Sequence, residues 1–155
     1  MHPNQMLIQS FYEAFSQKDY QVMAECYHPE ATFRDAVFDL KGKEVPAMWK
    51  LLCLRGKDMR LSFSNVVADE QRGSADWEAW YPFSQTGRSV HNVIHAEFTF
   101  RDGKIWSHHD TFSFYRWARQ AFGFPGLLLG WTSFLHNKVR ASAMGNLRKF
   151  MEKEA

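Results

Sequence analysis

The stretch Lys104-Ile105-Trp106-Ser107-His108-His109-Asp110-Thr111-Phe112-Ser113-Phe114-Tyr115 decides how the chain is read. It has the period-2 alternation of one long β-strand. Successive strand side chains point to opposite faces. Trp106, His108, Asp110, Phe112 and Phe114 therefore share one face, and Ile105, Ser107, His109, Thr111, Ser113 and Tyr115 the other. The first set carries most of the aromatic bulk and is expected to face the core. His108 and Asp110 then stand side by side among aromatics, where an unpaired charge is costly. Such a pair reads either as an acid–base site or as a structural pair satisfied by hydrogen bonds. Two ionisable groups in a buried wall favour the site.

Upstream, Asp102-Gly103 is a hairpin signal. It joins this strand to a second one, Val90 to Arg101, whose Asn92, Ile94, Ala96, Phe98 and Phe100 share a face opposite His91, His95, Glu97 and Thr99. Ala75, Trp77, Ala79, Tyr81 and Phe83 mark a third strand, with Asp76, Glu78 and Trp80 on its other side. A fourth alternates through Met59, Leu61, Phe63, Asn65 and Val67. Before these strands the apolar period is helical. Leu7, Phe11 and Ala14, flanked by Ile8, Tyr12 and Phe15, predict a helix over 3–17. Asp19 suits the N-cap of a second helix reaching about Tyr27, which His28-Pro29 ends. Ala31 to Arg34 reads as a short strand with Asp35 at its end, then a loop to Gly42. A third helix is expected over 43–54, with Pro46 in its first turn, Trp49, Leu52 and Cys53 inward and Gly56 as cap. After the opening strand the chain turns helical, breaks at Gly123-Phe124-Pro125-Gly126, and is expected to finish in one helix over about 127–152. Helices segregated from an antiparallel sheet mean an α+β domain. A curved sheet wrapped by the N-terminal helices would form a cone with one open mouth and an internal pocket.

A chain of 155 residues fits one domain with a real core. Its 14 Phe and 6 Trp can line an apolar cavity or simply fill one. A formal net charge of +2 implies no strong nucleic-acid or membrane field. Cys26 and Cys53 fall at apolar helix positions and read as free buried thiols. No charged-then-apolar leader and no long apolar run is visible, so a cytoplasmic location is the simplest expectation.

Phe11-Tyr12-Glu13-Ala14-Phe15 with Lys18-Asp19, followed by Tyr27-His28-Pro29-Glu30-Ala31-Thr32-Phe33-Arg34-Asp35, resembles the opening of the nuclear transport factor 2-like superfamily. That superfamily includes ketosteroid isomerase and the SnoaL-like polyketide cyclases. His109-Asp110-Thr111-Phe112 and Trp117-Ala118-Arg119-Gln120-Ala121-Phe122-Gly123 are similar to the SnoaL-like final strand and its exit. The resemblance implies a cone domain over 1–125, with 126–155 a helical extension of the same domain. It is specific for fold and weak for reaction, because this fold hosts many chemistries. It implies that Asp110 matches the strand aspartate that the cyclases use as acid/base, and that Asp35 matches the isomerase general base. The isomerase's oxyanion tyrosine and protonated aspartic acid fall on Phe11 and Ala96, which argues against a true ketosteroid isomerase.

The catalytic candidates are therefore Asp110, His108 and Asp35. Asn92, Tyr12, Trp49, Trp106 and Phe112 are candidates for the pocket lining, although Asn92 reads more readily as backbone support, and Tyr12 and Trp49, at helical spacing, as plain core. Asn65 is open to the same two readings. His91, His95 and His109 with Glu97 lie on the opposite face, where a surface or dimer-interface role is expected in preference to a metal site. No metal and no cofactor is expected. The expected partners are a hydrophobic small molecule and a second copy meeting the outer sheet face, near Trp80, with no nucleic acid and no membrane. Three readings stay open: a cofactor-independent acid–base enzyme of isomerase, cyclase or hydratase type, a non-catalytic binding module, and a structural dimer whose cone is filled by its own aromatics.

Overall fold

The computed structural model describes residues 1–154. Helices α1 (Pro3–Ser16) and α2 (Tyr20–Glu25) are followed by β1 (Tyr27–Arg34), β2 (Asp39–Lys41) and α3 (Glu44–Arg55). Then come β3 (Arg60–Ala68), β4 (Arg72–Pro82), β5 (Ser89–Arg101), β6 (Lys104–Thr111), α4 (Phe114–Phe122), α5 (Phe124–Leu129) and α6 (Ser133–Glu154). The strands form one sheet in the order β2-β1-β6-β5-β4-β3. Its pairs are antiparallel except β1–β6, which is parallel. The α+β class follows, with a sheet that is mostly antiparallel and does not close.

Local signals account for most of the elements. Asp19 caps α2 by accepting from Val22 N at 3.2 Å. Asp102 and Gly103 both take positive φ (54° and 74°) in the β5–β6 turn, as a tight hairpin requires. Gly56 closes α3 by donating to Leu52 O. Ile8, Phe11, Tyr12 and Phe15 of α1 bury against the inner sheet face, joined by Met48 and Trp49 of α3.

Several expectations are corrected. Helix α2 stops at Glu25 and Tyr27 already opens β1. The loop after Asp35 contains β2, whose Leu40 pairs with Phe33. Leu52 points outward, at 36% exposure. Asn65 takes φ 55° at a register shift in β3 and donates to Asp76 on the outer face. Strand β6 ends at Thr111, because the Ser113 hydroxyl accepts from Arg116 N and starts α4. Phe114 thus belongs to a helix and stacks on His136. The C-terminal segment is two helices, not one. Gly126 brings α5 against α4 so closely that a Cβ there would meet Ala118 O at 2.0 Å, and α6 starts afresh beyond Thr132, whose hydroxyl accepts from Leu135 N.

The interior is filled. Phe11, Tyr12 and Phe15 are fully buried, and Trp49 and Trp77 nearly so, their rings meeting at 5.1–6.4 Å mostly edge to face. These rings meet where the open internal pocket of the cone is expected. Two surface depressions, of about 390 and 480 Å³, lie on the outer side of the sheet instead.

Candidate functional site

Within the filled cone one polar chain runs from α3 to β6. Trp49 Nε1 donates to the Tyr27 oxygen at 2.9 Å. Tyr27 Oη lies 2.7 Å from His108 Nδ1, and His108 Nε2 lies 2.8 Å from Asp110 Oδ1. Trp77 Nε1 adds a longer bond of 3.4 Å to the same carboxylate oxygen. One set of directions satisfies every hydrogen: indole to phenol, phenol to Nδ1, and Nε2–H to carboxylate. In that arrangement Asp110 accepts from the His108 ring. Both bonds fall on Oδ1, leaving Oδ2 uncommitted. His108 is further enclosed by Phe11, Phe33, Trp49 and Phe98 rings within 6.0 Å.

Strand pairing builds this arrangement. The register sets Phe33 and Phe98 opposite His108, and Ala96 opposite Asp110. Small Ala96 leaves room for the carboxylate. A bulge between Ser107 and Ile105 resets the alternation of β6, so that Ile105, His108 and Asp110 all face inward. Trp106 is turned away by it. Its ring packs against His28 and under the Arg101 guanidinium, outside the core, so the expected pocket role of Trp106 is corrected.

Asp35 follows β1 and folds back to accept from Val37 N and Phe38 N, each at 2.7 Å. Burial pushes its carboxyl up to about 6; the two backbone donors oppose this, and the charge of Asp110 adds to it. The two carboxylates therefore sense each other. Tyr12 stacks on Phe63, and its hydroxyl has no hydrogen-bond partner among the described residues. Burial first, then the charge of Asp110, drives its pKa well above the ordinary phenol value. Phe112 and Tyr81 bridge the main core and a second cluster formed by Val90, Phe114, Trp117, Ala118 and Ala121. Asn92 is half-buried, opposite Ala79 of β4.

The structure brings Asp110, His108, Tyr12 and Trp49 into one core, ties Asp35 to its own turn, sets Phe112 between the two clusters, and leaves Trp106 and Asn65 outside. Sequence reasoning missed Tyr27, whose only signal is a hydroxyl on a residue assigned to a helix end. Burial pushes the Cys26 and Cys53 thiols up to about 11, which leaves them poor nucleophiles. The outer histidines pair singly, His91 with Glu78 and His95 with Asp76.

The α+β fold, with helices laid on one curved and mostly antiparallel sheet, is the feature that comparison with known proteins addresses. The model of the SnoaL-like domain family matches residues 8–108, and the chain belongs to that family. No curated protein matches. Among solved structures, a nuclear transport factor 2-like protein of unknown function from Burkholderia pseudomallei superposes with a TM-score of 0.68 at 16% identity, covering 79% of this chain and 100% of that one. A putative polyketide cyclase from Xanthomonas campestris gives 0.62 at 20% identity over 77% and 96% of the two chains. An LEH-like epoxide hydrolase from M. tuberculosis gives 0.61 at 16% identity over 86% and 95%. At these identities the likeness is one of fold.

Proposed function

We propose that the chain is a cofactor-independent acid–base enzyme acting on a small hydrophobic compound that bears a carbonyl group. The observation that carries this is the buried chain Trp49–Tyr27–His108–Asp110, ending on a carboxylate with one uncommitted oxygen. In this reading Asp110 Oδ2 takes and returns the proton, and His108, aligned by Tyr27, holds Oδ1. Asp35, raised to about 6, is the second carboxyl, able to present a proton near neutral pH. Substrate enters at the rim, past Asp35, Asn92 and Phe112, and displaces side chains there.

The closed interior favours a second reading, a structural protein whose cone is filled by its own aromatics. One assay separates the two without knowing the substrate. Hydrophobic ketones are incubated with the protein in D₂O, and deuterium uptake next to the carbonyl is followed by NMR. The enzyme reading expects exchange that Asp110→Asn slows about 10²–10⁴-fold, the usual share of a general base. No exchange across a broad ketone set favours the structural reading. Self-association through the outer sheet face, where Trp80 stacks on His91 at 4.7 Å, belongs to the same proposal and is read by sedimentation velocity.

A further inference from the structure

Between Thr111 and Met151 the chain has no Asp or Glu, while Arg116, Arg119, Lys138, Arg140, Arg148 and Lys149 all fall there. The whole-chain net charge of +2 hides this segregation, since the rest of the chain is net acidic. The same segment holds the largest exposed apolar side chains. Phe124 is 70% exposed, Trp131 75% and Phe134 67%, with Leu127, Leu128 and Leu129 exposed between them.

This knob is held out by design of its inner edge. Gly126 lies against the Ala118 carbonyl, and the Tyr115 hydroxyl donates to Leu127 O at 3.1 Å. Arg88 donates to Gln120 O and sits beside Gly123, at the start of α5. Lys138 follows Phe134 by one helical turn and so shares its face of α6. The apolar tip is thus flanked by cations at both ends. Six exposed apolar side chains in one continuous stretch exceed the scattered singles of an ordinary surface.

We propose that this knob seats in the surface of an anionic lipid bilayer. Trp131, Phe134 and the three leucines enter the boundary between headgroups and acyl chains, and Arg88, Arg119 and Lys138 meet the headgroup anions. Trp is enriched at that boundary because its ring is apolar and its N–H polar. Charge selects this occupant over a second copy of the chain, because a two-fold contact at the knob would set the same cations against each other. No described helix is long and apolar enough to cross a membrane, so the contact is peripheral. It departs from the expectation of no membrane contact, which rested on a charge averaged over the chain.

The test is co-sedimentation of the full chain with phosphatidylcholine vesicles, with and without phosphatidylserine, at low and physiological salt. The expected result is binding that requires phosphatidylserine and weakens with salt. Trp131→Ser/Phe134→Ser should abolish it, with circular dichroism and thermal melt unchanged because both residues are exposed. Lys138→Gln should weaken it about fivefold, the contribution of one basic residue near such a surface. Absence of binding to phosphatidylserine vesicles overturns the proposal, as does binding that survives the double substitution. A self-association that the double substitution dissolves would make a second copy the occupant and overturn it equally.

Discussion

The sheet carries the same chemical pair on both faces. Inside, His108 meets Asp110 at 2.8 Å with side chains 0% and 3% exposed. Outside, His95 meets Asp76 at 2.6 Å with side chains 51% and 44% exposed. Distance does not tell these pairs apart; burial and connection do. The outer pair keeps its water, and its His95 bond holds the Asp76 pKa below the ordinary value. Such pairs contribute about 0–1 kcal/mol. The inner carboxylate has lost its water, at a cost of several kcal/mol in typical proteins. The inner pair is held instead by Tyr27, Trp49 and Trp77. The same pair is solvated on the outer face and, on the inner face, desolvated and tied into a hydrogen-bonded chain.

The largest effect that would sharpen this contrast is His108→Ala. It removes a donor to a buried carboxylate and opens a cavity among Phe33, Trp49 and Phe98, and should cost about 3–5 kcal/mol in urea unfolding. A cost as small as that at the surface would erase the difference between the two faces. Next is Tyr27→Phe, which removes the link between Trp49 and His108 and leaves two buried polar atoms without partners. It should cost about 1–3 kcal/mol by the same measurement.

Asp35 tests the rim. Its folded pKa of about 6 lies above the ordinary 3.8, so the folded state holds the proton more tightly than the unfolded chain. Stability from this group is present below pH 3.8, falls as pH rises toward about 6, and stays lower beyond. Asp35→Asn keeps an oxygen for Val37 N and Phe38 N and removes the charge. It should raise stability at pH 7 by about 1–2 kcal/mol, discounted from the full shift because Asp35 still reaches water. Near pH 4 the gain should largely vanish. Urea unfolding at both pH values reads this, and a gain equal at both would refute the assignment. The smallest effect is expected at the outer face, where His95→Ala should change stability by less than about 1 kcal/mol and respond to salt.

What the sequence reveals follows from which forces are local. The alternation of Ala75, Trp77 and Ala79, the Asp19 cap and the Asp102-Gly103 turn are short-range patterns, and the structure keeps each of them. His108 and Asp110 were legible because polar residues interrupt an apolar face. The bulge that expels Trp106 has no Gly or Pro to mark it, so period-2 counting carries past it. Tyr27 becomes a site residue only through the parallel pairing of β1 with β6, which joins distant parts of the chain. Whether fourteen Phe and six Trp line a cavity or fill it depends on volumes in three dimensions, which composition does not fix.

On the proposed reading Asp110 serves proton transfer and is not half of a pair kept for the stability of the fold. Thermal melting of Asp110→Asn against wild type at neutral pH tests it most directly. Asn keeps an oxygen for His108 and for Trp77 Nε1–H and removes a buried carboxylate. The expected result is a melting point equal to or above that of wild type, as when a functional group strained for its task is replaced by a neutral isostere. A melting point several degrees lower would make Asp110 a structural partner of His108 and refute the proposed reading.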